Sequence, residues 1–213
     1  MSAAPFLAAT TLAEASTTHD ALLPADDETL GEVQYALDAW EDTQAVANVL
    51  MHPDLIAGPL RVPTLFRGLE DEGYLQVAAA VGATRLPAPV AEEDRVALVD
   101  SLLDLVAGQG GLAAVHAAEA LDGLARDDDA VEIVVLLGHP DDDVRHRLQR
   151  LMFGLLGADG FDRLLDDRDL VRPDDAEIAR DQLADDGVDL DVGAPPALSA
   201  DVLLPSLTDY DGS

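Results

Sequence analysis

Cysteine is absent from this chain of 213 residues. Its absence excludes disulfides, thiol nucleophiles and cysteine-ligated metals. No run of apolar residues is long enough to cross a bilayer, since the longest candidate, AVEIVVLL at 130–137, is short and contains Glu132. The alanine-rich start of the chain has no cationic residue before Arg61, so we do not expect it to be a secretion signal. We therefore predict neither redox chemistry on side chains nor a membrane location.

Lysine is also absent, because all twelve cationic side chains are arginine, against 43 aspartates and glutamates and a net charge of -31. Aspartate far outnumbers glutamate. This composition resembles that of proteins from extremely halophilic archaea, which implies a cytoplasm with molar salt. At about 1 M salt the Debye length is about 3 Å, so a surface of aspartates does not repel itself apart. Such a charge also argues against nucleic acid as a partner, because phosphate binding needs a basic face.

The segment 138–157, GHPDDDVRHRLQRLMFGLLG, contains the clearest helix signal in the chain. Pro140 ends the preceding segment, and the three aspartates that follow supply capping oxygens and charge that favours a helix N-terminus. Apolar residues then recur at the spacing of one helical face: Val144, Leu148, Leu151, Met152 and Leu155. Gly157 predicts the end of this helix.

Similar periodicity predicts helices elsewhere, over about 28–51, 62–73, 74–83, 90–107, 112–124, 130–137, 159–167 and 173–184. The helices at 62–73 and 74–83 form a predicted hairpin, and the alanines at 78–80 are small enough for close helix contact. The segment 130–137 is apolar nearly all round, which suits a buried strand as well as a buried helix. A lone strand among helices would have no partner, so we predict a helix.

Together these patterns predict an all-α fold, a short α-solenoid of stacked helical hairpins. We expect an irregular N-terminal arm at 1–27, a helical domain at 28–186 and an extended tail at 187–213. The arm and the tail contain prolines and no helical period. The last predicted helix is mostly polar on its outer side, as a terminal cap of such a stack needs to be.

Val115, Val144 and Val171 lie 29 and 27 residues apart, within comparable surroundings. The segments HPDDDVR at 139–145 and DRDLVR at 167–172 resemble the turn and Val-Arg start of the second helix in HEAT repeats of the short, phycobilin-lyase-like type. AAVHAAEALDGLA at 113–125 is similar to the small-residue helix of that repeat, with His116 in place of an arginine. The resemblance implies a ladder between neighbouring repeats made by Asp141, Asp143 and Arg145.

No residue pattern indicates catalysis or a metal. His139 and His146 are seven residues apart, which is not the spacing of a recognised zinc site. The aspartate runs at 127–129 and 141–143 lack the alternating ligands and glycine of a calcium loop, so helix capping accounts for them. Nucleophile, phosphate-loop and dinucleotide motifs are absent from the sequence. We predict no catalytic, cofactor-binding or metal-binding residue, and no enzyme activity.

Arginines are concentrated late in the chain, where seven of the twelve lie between residues 145 and 180. This segment could dock an acidic partner through bidentate contacts. The candidate partner-binding residues are Arg145, Arg147, Arg150, Arg163, Arg168 and Arg172. Salt bridges within the protein are the simpler interpretation of the same cluster, and we favour them.

The function that these expectations support is a non-enzymatic scaffold or adaptor of a halophilic archaeon, which holds a protein partner on its helical surface. The alternative is a structural subunit of a larger assembly, a virion or filament, whose arm and tail lace neighbouring copies together. A lyase or isomerase of the phycobilin-lyase-like group is a weaker third hypothesis, for which no site residues are found. None of these requires a cofactor, nucleic acid or membrane.

Overall fold

The fold was analysed in a computed structural model that describes residues 1–108, 111–185 and 187. Within these ranges the chain forms α-helices and short 3-10 turns and no β-strand, which confirms the predicted all-α class. The helices are α1 Ala4–Leu7, α2 Leu12–Leu22, α3 Asp27–Ala39, α4 Thr43–Leu50, α5 Gly58–Leu69, α6 Tyr74–Ala83, α7 Glu92–Gly108, α8 Leu112–Leu124, α9 Ala130–Val134, α10 Asp142–Leu165 and α11 Pro173–Asp185.

The described residues fall into two compact units, unit 1 from Met1 to Asp94 and unit 2 from Arg95 onward. This division differs from the predicted single helical domain at 28–186 preceded by an arm. The boundary lies in the first turn of α7, within a continuous helical segment that has no linker composition. The predicted tail lies outside the described residues, apart from Gly187.

Helix α4 is the centre of unit 1, where it packs against α1, α3, α5 and α6. Its residues 45–50 are all buried. Helices α5 and α6 form the predicted hairpin. The predicted close approach of α6 is confirmed, because a Cβ on Gly68 would lie 2.7 Å from the Cβ of Ala79. Small side chains therefore set the distances between these helices.

The N-terminal residues are not the irregular arm that the sequence predicted. They form α1 and α2, and Phe6 is completely buried. The side-chain amide of Asn48 in α4 donates to the carbonyls of Phe6 and Ala9, at 3.0 and 2.9 Å. The sequence did contain a local signal, because Thr11 and Glu14 have the spacing of a helix N-cap box. Thr11 accepts from the backbone N–H of Glu14 at 3.2 Å.

The predicted continuous helix at 28–51 is also wrong, because the chain breaks at Trp40 into α3 and α4. Trp40 has a left-handed backbone, with φ of 49°. Its indole N–H donates to Asp71 at 3.0 Å, and the Arg67 guanidinium lies 4.0 Å from its ring centroid. These tertiary contacts offset the cost of the unusual backbone. Asp42 then caps α4 by accepting from two backbone N–H groups.

In unit 2, α10 packs against α8, α9 and α11, as its clear periodicity led us to expect. Asp141 caps it by accepting from the N–H groups of Asp143 and Val144. Gly157 has φ of 66° and separates α10 into two helical parts, which agrees with the predicted stop and the predicted short helix after it. Four of the five predicted face residues are buried: Val144, Leu148, Leu151 and Met152.

The ambiguous segment at 130–137 is helical over Ala130–Val134 and continues as hydrogen-bonded turns. The prediction of a helix is thus confirmed for its first part. Its surroundings differ from the prediction, because only one side of the segment is buried. Val131 and Val135 are 51% and 53% exposed, whereas Ile133 and Val134 are buried. The valines one turn apart therefore form an apolar edge open to solvent.

Candidate partner-binding surface

All six arginines predicted to bind a partner lie in unit 2, but the structure gives them different roles. Arg145 lies at the start of α10 and is only 14% exposed. It donates to the His139 carbonyl at 2.6 Å and pairs with Asp142. Its contacts thus close its own turn, rather than forming the ladder between repeats that the HEAT resemblance implies. Its Nε atom is buried and has no hydrogen-bond partner among the described residues.

Arg147 connects α10 to α8 through Glu119, at 3.7 Å. The same carboxylate oxygen lies 3.1 Å from Nδ1 of His116, a residue that is 2% exposed. The position at which the sequence departs from the HEAT pattern is therefore part of a contact between two helices. Arg147 is 14% exposed, so this contact leaves little of it for a partner.

Arg172 forms a bidentate pair with Asp175 in the first turn of α11, at 2.7 and 3.0 Å. The hydrogen bond and the charge of Asp175 raise the pKa of Arg172 above its ordinary value. The pair lies directly over Gly138, where a Cβ would come within 2.5 Å of Asp175 and 2.7 Å of Arg172. Arg172 is nevertheless 75% exposed.

The remaining three predicted arginines form no ion pair with a described residue. Arg163 is exposed and donates to the Asp159 carbonyl at 3.1 Å. Arg168 is exposed in the segment between α10 and α11, and Arg150 is half-buried on α10. The predicted set thus divides in two: Arg145, Arg147 and Arg172 fit internal salt bridging, and the other three have no carboxylate partner in the described part of the chain.

A cavity of about 340 Å³ lies in unit 2 beside the exposed edge of α9. One wall is the turn that follows α9, and the opposite wall is the segment leading into α11. We call the cavity together with Val131 and Val135 the α9 groove; the residues lining its cavity are Ala107, Val134, Val135, Leu136, Gly138, His139, Leu170, Val171, Arg172 and Asp175. The groove therefore combines apolar side chains with polar groups, among them His139 and the Arg172–Asp175 pair.

Sequence reasoning missed this groove because its two walls are more than thirty residues apart in the chain. One signal was available, since AVEIVVLL has more apolar residues than one buried helix face accommodates. We interpreted the surplus as a sign of burial on most sides. Two of those valines are instead exposed at the rim.

Two other classes of site are absent from the described residues. No group of three or more histidine, aspartate or glutamate side chains there is arranged to hold a metal ion. No helix there has both the length and the apolar character to span a bilayer. His139 instead accepts a hydrogen bond at Nδ1 from the backbone N–H of Asp141, at 3.1 Å, which places it in the turn before α10.

The fold and this groove define the chain as an all-α protein whose neighbouring short helices pack together. Comparison of the chain with protein-family models, curated proteins and solved structures found no match.

Proposed function

We propose that this chain is a non-enzymatic scaffold that holds a protein partner in the α9 groove. The observation that carries the proposal is the pair of exposed valines, Val131 and Val135, of which Val135 also lines the cavity. Single exposed apolar residues are common on soluble proteins, but two exposed valines one helical turn apart beside a cavity favour an interaction site. The surface around it is otherwise that of a highly acidic chain.

The partner that fits the groove is a peptide segment with an apolar side chain flanked by carboxylates. The apolar side chain would enter between Val134 and Leu170, and a carboxylate would bind Arg168, whose guanidinium has no ion-pair partner among the described residues. Arginine suits this role because its planar fork binds a carboxylate through two hydrogen bonds. In molar salt, long-range attraction is screened, so such short contacts and apolar burial would supply the affinity.

We also place the protein in a salt-rich cytoplasm, on the strength of its acidic, lysine-free composition. The HEAT-like origin remains a proposal, which the packing of α8 on α10 supports. A role as a subunit of a virion or filament would depend mainly on the C-terminal tail, because α1 packs against α4 and α2 packs against α1 within their own unit.

The proposal is tested by affinity capture in about 2–3 M KCl, a concentration chosen to screen the acidic surface, from the lysate of an extreme halophile. Three full-length forms are compared: the wild type, a Val131→Asp/Val135→Asp variant and a Tyr35→Asp control. Tyr35 is 78% exposed and lies in unit 1. We expect the groove variant alone to lose the captured protein. Equal capture by all three forms would refute the α9 groove as the binding site.

Light scattering in the same buffer tests the alternative. A monomer that captures a different protein supports the scaffold. A large oligomer that deletion of residues 188–213 converts to a monomer supports the assembly subunit instead.

A further inference from the structure

Two histidines face each other inside unit 1, at the junction of α1, α2 and α4. The ring centroids of His19 in α2 and His52 after α4 are 4.4 Å apart, with a tilt of 36° between the planes. The His19 side chain is 13% exposed and His52 is 5% exposed. Phe6 of α1 lies against both rings, at 5.4 Å from His52 and 6.3 Å from His19. These three rings hold the N-terminal helices against α4.

The hydrogen bonds of the two rings differ. Nε2 of His19 lies 2.8 Å from Asp54, and Nδ1 lies 3.4 Å from Asp20. Nδ1 of His52 lies 2.9 Å from the carbonyl of Asn48. A carbonyl only accepts, so Nδ1 of His52 carries its proton, and the neutral ring has its lone pair on Nε2. A second proton on His52 would thus create a cation.

The charged groups are arranged differently around the two rings. Asp54 and Asp20 lie directly against His19. His52 forms no ion pair with a described carboxylate, and the nearby arginine, Arg85, donates to the Met51 carbonyl at 3.0 Å. Arg61 donates to the backbone carbonyls of Ile56 and Asp54. Burial is the largest cause of the lowered pKa of His52, and the charges of His19 and Arg85 lower it further, whereas the hydrogen bond to the Asn48 carbonyl and the charge of Asp54 oppose this shift.

We propose that the contact between His19 and His52 is a proton-operated latch, which releases α1 and α2 from α4 when both rings carry a charge. Two like charges at this separation repel each other strongly in a buried site. Salt screens a buried pair much less than a surface pair, so the latch would work in the molar salt that the acidic surface requires. Release would also break the two bonds by which Asn48 holds α1.

The sign of the pH dependence follows from proton linkage. Because folding lowers the pKa of His52, the closed latch binds fewer protons than the open one. The stabilisation is therefore complete above pH 6.5, the ordinary value for histidine, and is lost as the pH falls through the lowered pKa of His52. If opening takes up one proton, the opening constant increases about tenfold for each pH unit by which the pH is lowered, between pH 6.5 and the lowered pKa of His52.

The test is hydrogen exchange of the full chain, measured by mass spectrometry between about pH 5 and pH 7.5 in about 2–3 M KCl. Opening constants are obtained by dividing the measured exchange rates by the intrinsic exchange rates at the same pH. We expect residues 4–22 to open about tenfold more for each pH unit below the onset, and the first part of α10, residues 142–156, to stay constant. A wild type in which both regions respond alike to pH would overturn the latch.

Variants separate the latch from general acid sensitivity. His52→Gln has no titrating ring and retains a donor for the Asn48 carbonyl, so we expect its opening constants to be independent of pH in this window. His146→Gln, at a half-buried histidine of unit 2, is the control that should behave as wild type. An unchanged pH slope in His52→Gln would contradict the proposal.

If His52→Gln fails to fold, the wild type alone still tests the latch. The Cε1–H signals of His19 and His52 are then followed by NMR over the same pH range. We expect His52 of the closed protein to titrate below the ordinary histidine pKa, whereas opening of α1 and α2 increases already from about pH 6.5 downward. Titration of His52 at or above the ordinary histidine pKa, or opening of α1 and α2 that does not change with pH, would overturn the proposal.

Discussion

The two units use arginine in different ways. In unit 1, Arg61, Arg67 and Arg85 donate to backbone carbonyls, those of Ile56, Leu37 and Met51. Each of these carbonyls lies at or near the C-terminal end of a helix or 3-10 turn, where backbone acceptors lack intrahelical partners and the dipole favours a cation. Arginine in unit 1 therefore completes the backbone hydrogen bonding.

In unit 2, most arginines pair with carboxylates instead. Arg95 pairs with Asp129, Arg147 with Glu119, Arg172 with Asp175, and Arg180 with Asp162 and Asp166. Among these four arginines, the pairs of Arg95 and Arg147 are mostly buried, with side chains 8% and 14% and 14% and 21% exposed, whereas the pairs of Arg172 and Arg180 are more exposed. Exposed pairs of this kind contribute little to stability, and molar salt weakens them further. The comparison teaches that the stability of unit 1 depends on close packing and buried hydrogen bonds, and that the charged contacts of unit 2 mostly order its surface.

The largest difference in stability between the two units is expected for two glycine substitutions, Gly82→Ala in unit 1 and Gly138→Ala in unit 2. In Gly82→Ala the new Cβ would overlap the carbonyl of Leu50, which is backbone and cannot move aside. In Gly138→Ala the new Cβ would meet only the tips of Arg172 and Asp175. We expect losses of at least about 3 kcal/mol for Gly82→Ala and below about 0.5 kcal/mol for Gly138→Ala. Thermal unfolding in molar KCl measures both, and equal losses would remove the distinction between the units.

Asn48→Ala tests the buried hydrogen bonds of unit 1. The substitution leaves the Ala9 carbonyl without its side-chain donor and removes one of two donors of the Phe6 carbonyl, which keeps the backbone N–H of Ala9, so we expect a loss of about 1–3 kcal/mol. Gln34→Ala, which removes an exposed amide that donates to Asp38, is the matched control and should cost about 0.3 kcal/mol. Hydrogen exchange should localise the loss in α1. A loss of protection spread evenly over unit 2 would contradict the assignment of Asn48 to the attachment of α1.

Within unit 2, the buried and exposed ion pairs should differ. Asp129→Ala removes the carboxylate that pairs at 2.7 Å with the buried Arg95 guanidinium, and we expect a loss of about 2 kcal/mol. Asp175→Ala breaks a pair whose arginine is 75% exposed and remains open to water, so it should cost below about 1 kcal/mol. Chemical denaturation measures the loss of stability in both variants. A larger loss in Asp175→Ala than in Asp129→Ala would show that the exposure of an ion pair does not determine its contribution to stability.

The smallest effect is expected at Arg168. Arg168→Gln removes an exposed charge that has no ion-pair partner among the described residues, so stability should change by less than about 0.5 kcal/mol. The same variant should weaken capture of the partner by the α9 groove. A substantial loss of stability would instead assign Arg168 to the fold.

Local signals predicted much of the helical structure. Tyr74–Ala83 agrees with the predicted range, and the N-cap Asp141 and the stop at Gly157 lie where the sequence placed them. Each of these depends on neighbours within one helical turn. Predictions failed where distant residues decide the conformation: Trp40 leaves the helix because Asp71 and Arg67 bind its ring. The N-terminal helices were missed because prolines and weak periodicity concealed the cap at Thr11.

The candidate site was predicted only in part. Clustering of arginines was visible in the sequence, and internal salt bridging, the interpretation that we favoured, fits three of the six. The groove and the contact between His19 and His52 were not predicted, because the residues that form them come from separate helices.

The sequence by itself determined the all-α class, the positions of several helix ends and the acidic surface, because periodicity, capping and composition act locally or through simple counting. Only the tertiary structure decided which arginines are paired, which valines are exposed and which histidines meet. His19 and Asp54, or Arg147 and Glu119, are brought together by the packing of helices around α4 and α10. Such contacts between residues about thirty positions apart depend on the three-dimensional arrangement of whole helices, which no local pattern records.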